Sequence, residues 1–314
     1  MTAVTVSIGI PTHNEESNIG KILDFLIGKI KLKKHIKIIQ IIISDDSTDR
    51  TPEIVMKRRA RYPFIELYHH NKRIGYSCAI NEIIRHAKGD ILIIFDADIV
   101  IKDPNIITYL VDEFTRDPEV GIVGGNPTLI EEQGVVASIS AARYYIWDYI
   151  RKAFYDDKKG NPWIFNGRCM AISRKVYSRI SIPSLIGADE IIWCLNKILG
   201  YKERFCVRAV VYFKEASTLK DLIIRWKREF ISRAQTKSLF KAKRPDIIDL
   251  PENFIPKSVM LFAILYAFKR KPIATILCIF IYLLLKYLAY KDITFTPLYE
   301  IAPSTKRISW KSYS

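Results

Sequence analysis

The chain contains the stretch GDILIIFDAD from Gly89 to Asp98, in which an apolar run ends in two aspartates two positions apart. An uninterrupted run of this kind is typical of a buried β-strand. Alternate side chains of a strand point to the same side, so Asp96 and Asp98 would repel each other unless a cation or hydrogen-bond donors separate them. Mg²⁺ and Mn²⁺ prefer such oxygen ligands and share them with substrate phosphates. The stretch therefore predicts a strand whose carboxyl end holds a divalent cation.

The segments around this strand alternate between strand and helix patterns. Further short β-branched runs predict strands over Val4–Ile10, Ile36–Ile43, Phe64–Tyr68 and Val120–Val123. Apolar residues at helical spacing predict helices over Ser17–Lys29, Pro52–Arg61, Ser77–Lys88 and Pro104–Arg116. Strands that are apolar on both faces and are separated by helices of this length indicate a mostly parallel sheet between two helix layers.

Polar segments follow three of the predicted strands. They read PTHNEE over residues 11–16, SDDSTD over 44–49 and DAD over 96–98. Either of the first two also fits a simple helix cap, because Asn, Ser and Asp side chains cap helices. Ligands of open α/β sheets bind beyond the carboxyl ends of the strands. The three segments together predict one polar site at that edge.

The order of PTHNEE, SDDSTD, KRIGYSCAIN and GDILIIFDAD resembles glycosyltransferase family 2. The resemblance extends over roughly residues 4–230, and the motifs keep the family's order and spacing. The family includes dolichol-phosphate sugar synthases and, more distantly, cellulose and hyaluronan synthases. It implies the α/β GT-A fold, in which a Rossmann-like mixed, mostly parallel sheet is flanked by helices.

The resemblance also implies a donor site and a metal site. The donor residues would be Pro11, Thr12, Glu15, Asp45, Asp46, Asn71, Gly75, Asp96, Arg225 and Arg228. Within this set, Asp45 would hold the nucleotide base, with Asp46 close by. Asp98, together with Asp96, would bind Mn²⁺ or Mg²⁺ on the donor diphosphate, where a cation neutralises the charge that develops as the nucleotide leaves.

The segment Gly187-Ala188-Asp189-Glu190 aligns with the family's Glu-Asp motif, although Ala188 replaces the Glu. Inverting transfer in a single displacement needs a base that takes the proton of the attacking hydroxyl, and Asp189 is the predicted catalytic base. The alternative is that Asp189 only caps the following helix. A phosphate acceptor is already anionic and needs no base, so this Asp favours a hydroxyl acceptor.

The acceptor side is predicted from two further motifs. Asn166 and Gly167 resemble the family's acceptor-side strand, and Arg225-Trp226 resembles the end of the QxxRW motif of processive synthases, with Leu222 in place of Gln. Trp226 would stack against an acceptor sugar, and Arg225 or Arg228 would clamp the departing diphosphate. The same stretch also fits a basic amphipathic helix that lies on a membrane surface.

The composition limits the class of protein. The 314 residues carry a formal charge of +16, with 49% hydrophobic and 26% charged residues, which excludes a disordered chain. The five cysteines form no CxxC pair, which argues against zinc fingers and disulfide scaffolds. No basic region precedes an apolar stretch at the N-terminus, so we expect no signal peptide. No nucleic-acid recognition motif accompanies the basic charge.

Most of the positive charge lies in the last third of the chain. Residues 214–314 contain 19 Lys and Arg against eight Asp and Glu, and they also contain the apolar runs 259–268 and 273–290. The second run would extend roughly 27 Å as a helix, close to the bilayer core. We expect the first run to lie in the membrane interface and the second to cross; a two-helix hairpin and a buried soluble helix are the alternatives. Lys269, Arg270 and Lys271 between the runs favour the cytoplasmic face.

The sequence thus predicts a GT-A catalytic domain over 1–215, an amphipathic interface region over 216–256, membrane segments over 257–292 and a tail over 293–314. The predicted function is a metal-dependent inverting glycosyltransferase at the cytoplasmic side of the cell membrane. It would move a hexose, mannose from GDP-mannose by resemblance to the dolichol enzymes, to a polyprenyl- or dolichol-linked acceptor. The alternatives are a polyprenyl-phosphate hexose synthase and an inactive nucleotide-sugar-binding membrane protein.

Overall fold

The structure is a computed structural model that describes residues 3–153, 165–241, 255–289, 298–306 and 308. A single eight-stranded sheet forms its centre. The strands are β1 (Val4–Thr12), β2 (Ile36–Asp45), β3 (Ile65–His69), β4 (Ile91–Phe95), β5 (Ile99–Ile101), β6 (Val120–Leu129), β7 (Cys169–Ser173) and β8 (Lys202–Phe213). Their order across the sheet is β3-β2-β1-β4-β7-β6-β8-β5.

The sheet is mixed, and its two halves differ in strand direction. β1, β2, β3 and β4 are all parallel, whereas β7 runs antiparallel to both β4 and β6. β8 is parallel to β6 and antiparallel to β5. The register places Thr12 beside Asp45, and Phe95 beside Cys169. The carboxyl ends of β1, β2 and β4 therefore meet the amino end of β7 at one edge.

Helices cover both faces of the sheet. They are α1 (Ile19–Gly28), α2 (Thr51–Arg59), α3 (Tyr76–His86), α4 (Ile106–Arg116), α5 (Val135–Ala153), α6 (Arg174–Tyr177), α7 (Ala188–Ile198), α8 (Leu219–Lys241), α9 (Lys257–Arg270) and α10 (Pro272–Ala289). The apolar residues of α1 and α4 pack on one face, and those of α3 and α7 pack on the other. Within β4, Ile93 joins the first core layer while Ile94 joins the second. The predicted α/β sandwich is therefore confirmed.

The helix predicted to lie on the membrane packs inside the protein instead. Leu222, Trp226 and Phe230 of α8 are buried against side chains of α5 and α10. An apolar stripe that is used in this way is not available to lipid, so the prediction of an amphipathic interface helix is wrong for the described part of region 216–256. Residues 242–254 of that region lie outside the described residues.

Helices α9 and α10 pack on each other and on α5. α10 begins at Pro272, where proline fits the first turn of a helix. Within the described residues, none of the helices has both the length and the apolarity needed to cross a bilayer, so the predicted membrane-crossing segment is not found there.

The helix pair α9–α10 nevertheless exposes an extended apolar face. Its small or polar residues Ala263, Ala267, Thr275 and Cys278 are buried against the rest of the protein. The large apolar side chains of the exposed face are Leu261, Phe262, Leu265, Phe268, Ile273, Ile276, Leu277, Phe280, Leu283, Leu284, Tyr287 and Leu288. Contiguous apolar surface of this kind marks an interaction site on a folded protein.

Candidate active site

A cleft of about 430 Å³ opens at the edge of the sheet where β1, β2 and β4 end. The loops after β1 and β4 and the amino ends of α3 and α7 form one side of it. Helices α5 and α8 form the opposite side. The segment 298–306, which we call the strap, borders the cleft through Tyr299, Ile301, Ala302, Thr305 and Lys306.

Asp96 and Asp98 lie together in the cleft directly after β4. Burial raises the pKa of Asp96 to about 7, and the negative charges of Asp98 and Asp189 act in the same direction. Two neighbouring carboxylates that border one cleft fit a divalent cation that completes its coordination with substrate oxygens. The described residues contain no group of three His, Cys, Asp or Glu side chains placed to hold a metal without such help.

Asp46 borders the cleft and is held by several hydrogen bonds. The backbone N–H groups of Ile74 and Gly75 donate to Oδ2, at 2.8 and 3.1 Å, and His13 Nδ1 lies 2.6 Å from Oδ1. Burial acts to raise the pKa of Asp46, but these hydrogen bonds outweigh it and lower the pKa. Gly75 precedes α3 at φ 84°, a conformation that favours glycine. Asp46 is therefore an anchored anion at the mouth of the cleft.

Asp45, the predicted base-binding residue, is fully buried beneath the cleft. Its Oδ1 accepts hydrogen bonds from Thr12 (2.6 Å) and Ser47 (2.5 Å), and its Oδ2 lies 2.6 Å from His69 Nδ1. Both oxygens are therefore occupied, and the side chain does not border the cleft. Asp45 is placed to position the loops after β1 and β2, so Asp46 replaces it as the candidate for contact with the base.

Glu15 is buried at the end of the β1 loop, where Lys306 of the strap forms an ion pair with it. Burial raises the pKa of Glu15 to about 7, and the charge of Asp98 adds to this against the opposing effect of Lys306. Although burial lowers the pKa of Lys306, its two acidic neighbours Glu15 and Asp98 raise it by more. Lys306 is therefore a charged group inside the cleft.

Asp189 borders the cleft close enough to the acidic pair for its negative charge to act on Asp96. It is the second residue of α7, and Gly187 is the N-cap, so the alternative in which Asp189 caps the helix is wrong. The backbone N–H of Gly167 donates to Oδ2 at 3.0 Å. The Tyr76 hydroxyl, which donates to Asp96 Oδ1 at 3.3 Å, has a pKa well above its usual value because of burial and the charges of Asp96 and Asp189.

Arginines form the wall opposite the carboxylates. Arg225 Nη1 lies 2.9 Å from Glu215 Oε2, and Arg168 Nη2 lies 3.6 Å from Glu215 Oε1. Burial lowers the pKa of Arg225 to about 10 while Glu215 acts against it, and the charges of Arg168 and Arg228 lower it further. One carboxylate among three guanidinium groups leaves a net positive wall, which suits a diphosphate.

The predicted acceptor residues differ in their accessibility. Asn166 and Gly167 border the cleft just before β7, and Asn166 Nδ2 donates to the Gly125 carbonyl at 3.4 Å. Trp226 also borders the cleft, but only 2% of its surface is exposed. The Arg143 guanidinium covers its ring at 5.3 Å. A ring so covered offers no stacking face to a sugar, so Trp226 supports Arg143 rather than an acceptor.

Most of the predicted site residues share this cleft. Those that border it are Pro11, Thr12, Glu15, Asp46, Gly75, Asp96, Asp98, Asn166, Gly167, Asp189, Arg225, Trp226 and Arg228. Asp45 and Asn71 do not border it, and Asn71 is exposed on the loop before α3, where Arg73 reaches the cleft instead. The roles that we assign to these residues stay predictions.

Several cleft residues were not predicted. Glu229 of α8 forms ion pairs with Arg143 of α5 and, at 2.6 Å, with Arg233 of α8. The Arg233 guanidinium lies 5.2 Å from the centre of the Trp147 ring. No spacing in the sequence links α5 to α8. The sequence did not identify Lys306 as a cleft residue, because its contact with Glu15 joins positions nearly 300 residues apart in the chain.

A family model described as Glycosyl transferase family 2 matches residues 7–181, more than half of the chain. The chain belongs to glycosyl transferase family 2. The resemblance stated from the motifs is therefore confirmed, and the cleft lies where the matched β1, β2, β4 and β7 meet.

The alignments with curated relatives cover only part of the length of each relative. The chain is 27% identical to the "Probable glycosyltransferase YdaM" of Bacillus subtilis over 259 residues, which is 77% of this chain and 60% of the relative. It is 30% identical over 132 residues to the "Poly-beta-1,6-N-acetyl-D-glucosamine synthase" of Staphylococcus aureus, covering 42% of this chain and 31% of the relative. The chain thus spans less than two thirds of these relatives.

Solved structures share the fold at low sequence identity. A mannosyltransferase from Pyrobaculum calidifontis, in complex with GDP-Man and Mn²⁺, aligns with a TM-score of 0.59 and 21% identity, covering 93% of this chain and 83% of that one. Mannosyl-3-phosphoglycerate synthase from Rubrobacter xylanophilus aligns with a TM-score of 0.50 and 21% identity, covering 81% and 78%. The fold of this family 2 chain is therefore of the glycosyltransferase GT-A type.

Proposed function

We propose that this family 2 glycosyltransferase is a metal-dependent inverting hexosyltransferase attached to a membrane surface. The donor is a nucleoside-diphosphate sugar, with GDP-mannose the first candidate, and the acceptor is a hydroxyl of a polyprenyl-linked glycan. The observation that carries the proposal is the convergence of Asp96, Asp98 and Asp189 with an arginine wall in one cleft. This arrangement provides a cation site, a base and a receptor for a leaving diphosphate.

The donor end of the cleft lies between the β1 loop and α3. Asp46 is anchored there by the N–H groups of Ile74 and Gly75, so its remaining lone pairs are held in a fixed direction. Asp96 and Asp98 would hold Mn²⁺ or Mg²⁺, which neutralises charge on a bound diphosphate. A structure similar in fold was solved with GDP-Man and Mn²⁺, which supports both choices as first candidates.

The proton is taken at Asp189. The acceptor oxygen attacks the anomeric carbon, the bond from that carbon to the diphosphate oxygen breaks, and the hydroxyl proton passes to a carboxylate oxygen of Asp189. The bonding electrons leave with the nucleoside diphosphate. The N–H of Gly167 fixes the Asp189 side chain, which reduces the reorganisation needed at this step.

The departing diphosphate gains negative charge, and the wall of Arg168, Arg225 and Arg228 faces it. Guanidinium groups bind phosphate oxygens through two parallel N–H donors. Because Glu215 already orients Arg225 and Arg168, little side-chain freedom is lost when the diphosphate binds. The wall therefore stabilises the leaving group and does not contribute to proton transfer.

The proposed membrane attachment uses the exposed face of α9–α10. Twelve large apolar side chains of this pair are exposed, and Lys257, Lys269 and Arg270 are exposed at the ends of α9. Apolar side chains with flanking cations favour an anionic bilayer surface, at which the helices lie in the interface. A lipid-linked acceptor is available at that surface, which is why we prefer it over a small soluble one.

A panel of labelled donors tests the proposed function. Purified protein is incubated with Mn²⁺, a lipid extract and each of several nucleoside-diphosphate hexoses, and the products are separated into lipid and water phases. We expect label in a glycolipid from one donor, with the opposite anomeric configuration to the donor. Absence of both transfer and donor hydrolysis across the panel would support the inactive binding protein instead.

The metal assignment is tested by Asp98→Ala. We expect Mn²⁺ to tighten nucleoside-diphosphate binding in the wild type by tenfold or more and to have little effect on the variant, because one of the two carboxylates is missing. Titration calorimetry with and without Mn²⁺ measures this. Equal affinities in both conditions for the wild type would remove the cation from the proposal. Asp112→Asn, on the outer helix α4, is the control.

A further inference from the structure

The strap reaches across the molecule to the loop that follows β1. Lys306 Nζ donates to the His13 carbonyl at 2.6 Å and forms an ion pair with Glu15. The Lys306 carbonyl accepts a hydrogen bond from Asn18 Nδ2 at 2.5 Å. The strap therefore fixes its lysine against the donor loop through both side chain and backbone.

The other end of the strap lies against cleft arginines. The ring of Tyr299 has the Arg228 guanidinium 4.4 Å from its centre and the Arg73 guanidinium 5.3 Å from it. Both arginines border the cleft, Arg73 from the loop before α3 and Arg228 from α8. Tyr299 therefore links the two sides of the cleft mouth.

Between these ends the strap is tied to α8. The Ser304 N–H donates to Asp221 Oδ2 at 2.9 Å, and the Ser217 N–H donates to Ser304 Oγ at 3.2 Å. Asp221 is buried, so this anchor is protected from water. The anchor lies outside the cleft, whereas Lys306 points into it.

The position of Lys306 has a chemical consequence. Its ammonium forms an ion pair with Glu15 and is close enough to Asp98 for that negative charge to raise the pKa of Lys306. A donor diphosphate drawn to a cation at Asp98 brings several anionic oxygens into this space. A lysine ammonium binds such oxygens as a point charge and needs only a small movement of its flexible stem to do so.

We propose that Lys306 binds the donor diphosphate and that the strap closes the donor site around it. Before the donor arrives, Glu15 holds the ammonium in place; afterwards, the diphosphate shares or replaces that contact. The inference rests on the proposed function, because it requires that the cleft accepts a nucleoside diphosphate. It adds a binding residue that lies outside the matched residues 7–181.

Calorimetry with Lys306→Gln and Lys306→Arg tests the proposal. The probes are GDP and UDP, each with Mn²⁺, and the corresponding nucleosides without phosphate. For the diphosphate that the wild type binds, we expect Lys306→Gln to weaken binding about tenfold or more, because a charged hydrogen bond is lost. Nucleoside binding should stay within about twofold, and Lys306→Arg should recover most of the diphosphate affinity because it keeps the charge.

The matched control is Lys220→Gln, which removes a lysine 80% exposed at the start of α8 and 4.0 Å from Glu300 of the strap. It should leave diphosphate affinity unchanged. Unchanged or tighter diphosphate binding by Lys306→Gln would overturn the proposal, and tighter binding would mean that the ammonium merely blocks the site. If the wild type binds neither diphosphate, the proposed function itself is wrong. That outcome differs from failure of the Lys306 proposal, in which the wild type binds a diphosphate and Lys306→Gln binds it equally well.

A second measurement uses the wild type alone, in case Lys306→Gln disturbs folding. Hydrogen exchange of peptides covering 298–306 is compared with and without the bound diphosphate and Mn²⁺. We expect slower exchange with the diphosphate and no change with the nucleoside, because only the diphosphate engages Lys306. Exchange that is unchanged or faster with the diphosphate would contradict closure of the strap.

Discussion

At the scale of single residues, the cleft separates two kinds of carboxylate. Asp45 has both oxygens occupied by Thr12, Ser47 and His69, so it can only organise its surroundings. Asp189 borders the cleft, and the Gly167 N–H holds its Oδ2. A buried carboxylate with its hydrogen bonds complete is a structural group, whereas one that reaches open space can exchange a proton with a ligand.

Asp189→Asn tests the base directly. The amide keeps the size of the side chain but cannot take a proton, so we expect kcat to fall about 10²–10⁴-fold. The Kd for the donor should not change, because the donor contacts lie elsewhere in the cleft. Steady-state kinetics and calorimetry on the same sample measure both. A kcat that survives the change would point to an anionic phosphate acceptor and hence to a polyprenyl-phosphate hexose synthase.

Glu190 gives the molecule a pH-dependent stability. Burial raises its pKa to about 7, and the charges of Asp189 and Glu229 add to this against the opposing effect of Arg233. Between its ordinary pKa of 4.5 and about 7 the folded state binds more protons than the unfolded state, so this carboxyl lowers stability as the pH rises through that window.

Replacement of Glu190 by Gln should therefore stabilise the protein above pH 7 relative to the wild type. The difference in the free energy of unfolding should shrink as the pH falls and be smallest below 4.5. Urea unfolding at pH 4.5, 6 and 8 measures it. If the difference in the free energy of unfolding did not depend on pH, the pKa of Glu190 would have to be the same in the folded and unfolded protein.

At the scale of elements, the site depends on how closely the turn before β7 approaches α3. A Cβ on Gly167 would lie 2.6 Å from the Tyr76 hydroxyl oxygen and 3.8 Å from Asp189 Oδ2. Glycine is needed here for space rather than for a special backbone angle. The approach brings together Asp189 of α7, the Tyr76 hydroxyl of α3 and Asp96 after β4.

Gly167→Ala should reduce kcat substantially while lowering thermal stability only slightly, because the methyl group displaces Tyr76 and disturbs Asp189 at the cleft surface. The double variant Gly167→Ala with Tyr76→Phe also removes the Tyr76 hydroxyl oxygen, with which the new methyl group would clash, so part of the activity should return. Activity assays and thermal melts on both variants make the comparison. Equal activity in the single variant and the wild type would show that the turn has room to relax.

The strands β1, β2 and β4, which end at the cleft, were predictable because each is specified by a local run of apolar residues. The apolar runs that end at Phe95 and at Ile43 are short and rich in Ile, which favours buried strands over helices. The polar segments after them meet because parallel strands end together at one edge of the sheet. The packing of α8 inside the protein was not predictable, because an apolar stripe of Leu222, Trp226 and Phe230 fits a lipid surface and a protein core equally well. Only the position of α5 and α10 distinguishes the two.

The position of the cleft was predictable in outline, but the individual contacts of its residues were not. Asp45 and Asp46 are adjacent and chemically identical, and the choice between them depends on which carboxylate turns towards α3. Lys306 is a single lysine in a basic region, without a neighbouring motif to distinguish it from other lysines. Contacts between residues far apart in sequence carry no local signal, so they appear only once the fold is known.

At the scale of the whole molecule, the exposed face of α9–α10 should determine binding to vesicles. Phe280 and Leu283 are 66% and 60% exposed and lie one helical turn apart. Replacing both with Glu should reduce partitioning onto anionic vesicles by about tenfold or more, because two apolar side chains that would enter the lipid are lost and negative charge is added. Sedimentation with vesicles of phosphatidylcholine and phosphatidylglycerol measures this.

The control is Met56→Glu, which changes an exposed apolar residue on α2, far from the helix pair in the chain. It should leave vesicle binding unchanged. If the double variant partitions as strongly as the wild type, the exposed face meets something other than lipid, and the acceptor need not be a lipid-linked molecule.

The contact between Asn18 and residue 306 joins positions 288 apart in the chain. A ribosome releases residues in order, so the nascent sheet can form while the loop after β1 still lacks its last partner. Until residue 306 emerges, Glu15 lacks its ion pair with Lys306. If Lys306 strengthens diphosphate binding as proposed, the donor site reaches its full affinity only after helices α9 and α10 have been synthesised.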